Sequence, residues 1–86
     1  MIVSSFGRSA MKGDSMKIKS ATDFGLMIKK RRKDMGYTQA YLAEFTGLSA
    51  SFISNLENGK ETAEIGKALF LCNLLGINLE MENRGE

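Results

Sequence analysis

The chain has 86 residues, a length that allows one domain. It contains one cysteine and no histidine, which excludes a disulfide framework, the usual zinc sites and catalysis through histidine. The net charge is +2, but residues 1–43 hold nine Lys/Arg against three Asp/Glu, and residues 44–86 hold three against seven. We therefore expect a binding protein rather than an enzyme, without metal or other cofactor. The basic half favours an anionic partner, although so small an asymmetry is weak evidence by itself.

Residues 1–15 are rich in glycine and serine and lack helical periodicity, so we expect a disordered N-terminal extension. Because the chain has neither a secretory signal nor a run of roughly eighteen apolar residues, we expect a cytoplasmic protein without a membrane span. Lys12-Gly13-Asp14 can be encoded by a purine-rich stretch that resembles a bacterial ribosome-binding site. One hypothesis is therefore that translation starts at Met16, and the intact mass of the protein made from its own gene would test it.

Residues 20–76 have the spacing of four short helices. In the first helix, Ser20 or Thr22 can cap the N-terminus and Gly36 ends the helix. The apolar positions that recur at three- and four-residue intervals are Phe24, Met27, Ile28 and Met35.

The second predicted helix is capped by Thr38 and ends at Gly47, and the third is capped by Ser49 and ends at Asn58-Gly59. The residues expected to face the core are Leu42, Ala43 and Phe45 in the second helix and Ile53 and Leu56 in the third.

The fourth predicted helix begins at Thr62 and ends at Gly76. The residues expected to point inward are Ile65, Leu69, Leu71, Cys72 and Leu75. Because Cys72 lies among leucines, we expect a buried and unreactive thiol.

Beyond Gly76 the hydrophobic period changes to two residues. Ile77, Leu79 and Met81 alternate with polar residues, which predicts a strand over residues 77–83 before a tail at residues 84–86. A lone strand leaves its backbone groups unpaired, and four short helices make a thin core. Pairing of two copies resolves both problems, so we expect a homodimer joined by this strand.

The second and third helices match the spacing of a helix-turn-helix. Counted from Gln39, the fifth residue is the small Ala43, the ninth is Gly47, and the fifteenth is the branched Ile53. The helices cross closely at the fifth position, the turn needs a positive φ angle at the ninth, and the fifteenth anchors the second helix. The alternative is a generic helical hairpin, which does not require these three residue types. The spacing favours a DNA-binding domain.

The segment TQAYLAEFTGLSASFISNLENG resembles the phage-repressor-like (Cro/C1, XRE) helix-turn-helix family. Residues 20–83 resemble more specifically the HipB-type antitoxins, through KIKSATDF, the K-x-x-R pattern of Lys29 to Arg32, GYTQ, ISNLEN and a terminal strand. The resemblance implies an all-α, compact four-helix (lambda-repressor-like) fold with a C-terminal β-strand that pairs across a homodimer. It also implies a HipA-like kinase as partner. The proline that commonly follows the third helix is replaced here by KETAE, so we expect the next loop to differ.

The third helix carries the candidate contacts to DNA bases, because the second helix of this motif lies in the major groove. Ala50 can meet a thymine methyl group, Ser51 can donate or accept a hydrogen bond, and Asn55 can pair with adenine. Phe52 is a further base-contact candidate, with a half-exposed core position as the alternative.

The candidate phosphate contacts are Gln39, Ser49 and Ser54, with Lys29, Lys30, Lys33 and Lys60 as more distant attractors. The run KKRRK at residues 29–33 points all round a helix, so it does not form one patch, and its lysines fit a solvated face equally well. The resemblance places Arg32 against Glu57 in a partly buried ion pair that makes no base contact.

Three functions are compatible with these residues. The first is a transcriptional repressor, expected to act on its own palindromic operator, that is also the antitoxin of a HipA-like kinase. The second is a stand-alone phage-type or metabolic repressor. The third is mainly a protein-binding kinase inhibitor with weak DNA binding, which is favoured by the absence of Lys and Arg between residues 48 and 59.

Overall fold

The computed structural model describes residues 15–85 of the chain. The helices are α1 (Ala21–Asp34), α2 (Gln39–Thr46), α3 (Ala50–Glu57) and α4 (Ile65–Leu74). The all-α, four-helix fold is confirmed, and no strand occurs within residues 15–85. The strand expected over residues 77–83 needs a second copy for pairing and stays a prediction. The expected N-terminal extension, apart from Ser15, lies outside the described residues.

Three of the four helix starts follow the capping residues in the sequence. Ser20 Oγ accepts a hydrogen bond from the Asp23 amide at 3.1 Å. Thr38 Oγ1 accepts from the Tyr41 amide at 3.0 Å, and Ser49 Oγ accepts from the Phe52 amide at 2.9 Å. Each bond satisfies one of the amides that a helix N-terminus leaves without a partner. The cap assignments for α1, α2 and α3 are confirmed, with Ser20 rather than Thr22 as the cap of α1.

The fourth helix begins three residues later than predicted. Thr62 lies in a turn instead of at the helix start, and the Ala63 amide donates to the Lys60 carbonyl at 3.4 Å. Ala63 packs against the core, so the connecting segment is pulled inward before the helix can start. The residue at the N-cap is Glu64, whose side chain makes no capping hydrogen bond.

All four helices contribute to one core. Its buried residues are Ile28, Leu42, Ile53, Leu56, Ala68, Leu71, Cys72 and Leu75. The inward positions predicted for Ile28, Leu42, Ile53, Leu56, Leu71, Cys72 and Leu75 are confirmed. Burial in this cluster raises the pKa of the Cys72 thiol, which disfavours the reactive thiolate.

Three inward predictions were wrong. Phe45 is 59% exposed, because Leu42 and Ala43 supply the core contacts of α2 and the Phe45 ring stacks instead on Tyr41, with ring centroids 6.1 Å apart. Ile65, the first residue of α4, is 73% exposed, and Leu69, one turn later, is 39% exposed at the edge of the buried stripe. These three side chains therefore form apolar surface rather than core.

Helices α1 and α3 cross with their backbones in contact. At Gly25, an added Cβ would lie 2.3 Å from the Leu56 carbonyl oxygen and 2.7 Å from the Glu57 carbonyl oxygen. Real Cβ atoms do not approach backbone oxygen so closely, and only glycine fits this crossing. The position of α3 is thereby set directly by the backbone of α1.

Candidate nucleic-acid interface

The link between α2 and α3 has the geometry that the spacing predicted. Gly47 ends α2 in the left-handed conformation at φ 80°, and its amide donates to the Ala43 carbonyl at 2.9 Å. Ser49 then starts α3. With Ile53 and Leu56 buried beneath it, α3 lies across the core with its opposite face open.

The open face of α3 presents small neutral side chains. Ala50 and Ser51 are exposed, and Asn55, one turn after Ser51, is partly buried. Ser54 is also partly buried, and Ser49 is exposed with its oxygen occupied as the cap of α3. A capping hydroxyl still has its hydrogen to donate. Ala50 and Ser51 therefore lie in the first turn of α3, and Asn55 follows one turn later on the same side of the helix as Ser51.

Phe52 lies on the flank of α3, between that surface and the core. It is partly buried, packs against the core, and lies under the Lys67 ammonium, which is 5.8 Å from the ring centroid. These contacts match the alternative interpretation of Phe52 as a half-exposed core residue, whose ring packs against other residues of the same chain. The base contact expected of Phe52 stays a prediction.

A buried ion pair joins α1 to α3. Arg32 Nε and Nη2 donate to the two Glu57 carboxylate oxygens at 2.6 and 2.9 Å, and Arg32 Nη1 donates to the Tyr37 carbonyl at 2.8 Å. Both residues are buried, at 7% and 5% exposure, so the pair is more enclosed than the partly buried pair that was expected. The two-pronged geometry fixes direction as well as distance between the helices.

The pKa values of this pair show that both partners stay charged. Burial alone would raise the pKa of Glu57, but hydrogen bonds from Arg32 and Gln39 and the nearby charges of Arg32 and Lys29 outweigh burial and lower it. The hydrogen bond to Glu57 raises the pKa of Arg32 against the opposing effect of burial. Glu57 is therefore a fixed acceptor throughout the neutral range.

Gln39 is held by the same carboxylate. Its Nε2 donates to Glu57 Oε1 at 3.0 Å, at the first residue of α2. Because one N–H of the amide is used, the second remains available for a phosphate oxygen. The sequence singled out Gln39, Arg32 and Glu57 separately, and the bond that joins Gln39 to the ion pair was not predicted.

The basic run at residues 29–33 is dispersed around α1, as the helical spacing indicated. Arg31 Nε donates to the Leu75 carbonyl at 2.7 Å, and Arg32 is buried against Glu57. Lys30 pairs with Asp34 at 2.9 Å. Lys29 and Lys33 are exposed, as is Lys60 in the connection after α3. The run therefore divides between structural roles and scattered surface charge.

Residues 15–85 contain no group of three or more His, Cys, Asp or Glu side chains placed to hold a metal ion. Over the same residues, no helix is long and apolar enough to span a membrane.

Relatives of known class match the same part of the chain. The Helix-turn-helix family model matches residues 28–81. The uncharacterized HTH-type transcriptional regulator y4mF of Sinorhizobium fredii is 37% identical over 70 residues, spanning 81% of this chain and 92% of that protein. The competence pilus inhibition repressor of Acinetobacter baylyi is 39% identical over 66 residues, spanning 71% of this chain and 60% of that protein.

Solved structures give a consistent picture. A chain of a HipB-O4 20mer complex aligns with a TM-score of 0.73 and 25% identity, covering 83% of this chain and all (100%) of that one. A chain of a HipA-HipB-O2-O3 complex aligns with a TM-score of 0.72 at 25% identity and the same coverage. Together with the Gly47 turn and the open face of α3, these matches show that the chain belongs to the XRE-type helix-turn-helix family and is a DNA-binding transcriptional regulator with the fold of HipB.

Proposed function

We propose that this chain is a homodimeric repressor that binds a palindromic operator at its own promoter and acts as the antitoxin of a HipA-like kinase. The observation that carries the DNA-binding half of the proposal is the exposed Ala50-Ser51 end of α3, a helix whose other end is fixed to α1 by the buried Arg32–Glu57 pair. A small neutral surface on a rigid support permits close approach to base edges.

The contacts divide into readout and positioning. Ala50 meets a thymine methyl group, Ser51 donates to or accepts from a base, and Asn55 pairs with adenine. Phosphate oxygens are bound by Gln39, whose amide is oriented by Glu57, and by the hydroxyl groups of Ser49 and Ser54. Lys29, Lys33 and Lys60 add long-range attraction, and Lys30 adds less because it pairs with Asp34.

The surface of α4 supports the homodimer. One side of α4 is buried in the core, yet four large apolar residues of the same helix are exposed. These exposed residues are Ile65, Leu69, Phe70 and Leu74. An apolar surface of this kind is typical of a protein interface, and a second copy provides a self-complementary cover.

The C-terminal segment extends the same surface. Ile77 and Leu79 line a shallow groove with Ile18 and Phe24, so the apolar side of the predicted strand lies toward the chain's own helices. Met81, two residues on, is 97% exposed. Antiparallel pairing of residues 77–83 across a two-fold axis would cover Met81 and satisfy the backbone groups of both copies.

The antitoxin half of the proposal has separate support. The structure of HipA, HipB and operator DNA contains a chain of this fold, matched over its full length. A stand-alone repressor is the second candidate, because a competence pilus inhibition repressor is also among the relatives. The two candidates share the DNA interface and differ in the kinase.

Binding to the DNA upstream of the gene tests the first half. We expect the dimer to retard this duplex and not a scrambled duplex of equal length, and each mismatch at a contacted base pair should cost about 1–3 kcal/mol. Changing Ala50 and Ser51 together to Lys should remove the discrimination without unfolding the protein. The control is Glu44→Lys on the exposed surface of α2, which changes the charge equally and should leave discrimination intact. No retardation at micromolar dimer and low salt would favour an inhibitor with weak DNA binding.

Co-expression with a kinase-like neighbouring gene product tests the second half. If the chain is an antitoxin, the two proteins co-purify and the kinase is inactive in the complex. Operator binding without any complex would leave the stand-alone repressor as the function.

A further inference from the structure

Lys67 lies outside the helix-turn-helix, in the first turn of α4, and is not among the phosphate contacts proposed above. We propose that Lys67 binds the DNA backbone beside α3, and that Glu64 holds its ammonium group until DNA is present. This inference rests on the DNA-binding function proposed above. It adds a phosphate contact in a place where α3 supplies no positive charge.

The first argument is position. Phe52 lies between the exposed Ser51 and the buried Ile53, and the Lys67 ammonium is 5.8 Å from the centroid of its ring. The lysine therefore flanks α3 next to its open face instead of lying behind the core. A helix of roughly 10–12 Å diameter fills a major groove about 12 Å wide, so a group along its flank faces the phosphates of the groove wall.

The second argument is charge. Residues 48–59 contain no Lys or Arg, and Glu57 is already neutralised by Arg32. Cations at this interface must therefore come from adjoining elements. Lys67 is one that the structure places directly against a residue of α3, and its side chain is 55% exposed.

The third argument is the partner that Lys67 has in the free chain. Its Nζ lies 3.0 Å from Glu64 Oε1, and the Glu64 side chain is 69% exposed. Such solvent-exposed pairs contribute little to stability, so exchanging the carboxylate for a phosphate costs little. The ring of Phe52 supports the ammonium on its other side and limits where it can move.

Salt titration of operator binding tests the contact. A dimer that loses two phosphate contacts through Lys67→Gln should show a log–log salt slope shallower by about 1.8. Its affinity deficit against the unchanged protein should shrink about tenfold between roughly 50 mM and roughly 200 mM salt. Lys67→Arg should restore both values. Arg84→Gln, which removes the same charge from the exposed C-terminal tail, should leave the slope unchanged.

A double-variant cycle tests the role of Glu64. Glu64→Gln should tighten DNA binding when Lys67 is present, because it frees the Lys67 ammonium for a phosphate. In the Lys67→Gln background the same change should tighten binding clearly less, because there is no lysine to free. Equal gains in both backgrounds would show that Glu64 only repels DNA at a distance. Thermal unfolding should be nearly the same for all variants.

The results distinguish a failure of the Lys67 contact from a failure of the proposed DNA-binding function. If the unchanged dimer fails to bind any specific duplex, the proposed function fails. If it binds, while Lys67→Gln keeps the original affinity and salt slope, the function stands and the Lys67 contact is overturned.

Discussion

The junction of α1 with α3 and the outer surface of α4 differ in how completely their side chains find partners within one chain. At the junction, Gly25 lets the backbones touch, and Arg32 and Glu57 use both carboxylate oxygens in a buried pair. On α4, Ile65 and Phe70 are exposed, and the N-terminus has no side-chain cap. The comparison teaches that the packing of α1 against α3 is complete within one chain, whereas the outer surface of α4 leaves large apolar side chains in solvent, which the proposed second copy would cover.

The largest expected effect comes from removing residues 77–86. We expect a monomer with operator affinity lower by about 10²–10⁴-fold, because binding of the second half-site no longer benefits from the link to the first. Preference for palindromes should disappear, while α1 and α3 stay folded. Light scattering and gel retardation measure both changes. Removing only residues 84–86 is the control, and a persistent dimer after the longer deletion would place the interface on α4 alone.

Arg32→Leu should weaken the junction of α1 with α3. It leaves the Glu57 carboxylate buried without its ionic partner, at a cost of about 3–5 kcal/mol in the free energy of unfolding. Chemical denaturation measures this cost. Lys33→Leu, at an exposed position next along α1, is the matched control and should change stability little. The double change Arg32→Leu with Glu57→Leu should recover much of the loss, and full stability and operator binding of the single variant would refute the role of the pair.

Gly25→Ala tests the backbone contact at the same junction. The added Cβ cannot move away from two carbonyl oxygens without shifting α3, so we expect a loss of about 3 kcal/mol and weaker operator binding. Gly66→Ala in α4 is the control, because an added Cβ there meets nothing within 4 Å. Its unfolding free energy should stay the same or rise slightly with helix propensity. Equal behaviour of the two variants would contradict the close crossing.

The smallest expected effect is on pH dependence. The pKa of Glu57 is lowered in the folded state, so its contribution to stability is complete above the ordinary value of 4.5 and is lost as the pH falls through the folded-state pKa. Unfolding free energy measured across this acid range should decline less steeply in Glu57→Gln than in the unchanged protein. Glu80→Gln, an exposed control, should leave the slope as it is.

The sequence predicted the features that depend on neighbouring residues. The caps Ser20, Thr38 and Ser49 act on amides three residues away, and the Gly47 turn depends on the φ angle of one residue. These signals are local, so they can be recognised without knowing the fold. The Arg32–Glu57 pair was predicted through family resemblance, since its partners are far apart in the chain.

The missed features depend on packing between distant segments. Gly25 inside a helix was a signal of close approach, but the contacting residues, Leu56 and Glu57, are identified only once α3 lies across α1. The start of α4 moved because Ala63 packs into the core. Phe45 and Ile65 fit an inward pattern and are exposed, because short helices offer the core few positions.

The aromatic row formed by Tyr37, just before α2, and by Tyr41 and Phe45 of α2 gives the protein an intrinsic optical label. The sequence has no tryptophan and two tyrosines, and these two, Tyr37 and Tyr41, have ring centroids 5.0 Å apart, with Phe45 stacked beyond them. Tyrosine emission and near-ultraviolet circular dichroism therefore arise mainly from one short stretch that precedes α3 in the chain. Events at α2 can be followed without attaching a dye, while changes confined to α4 and the C-terminal segment remain almost dark.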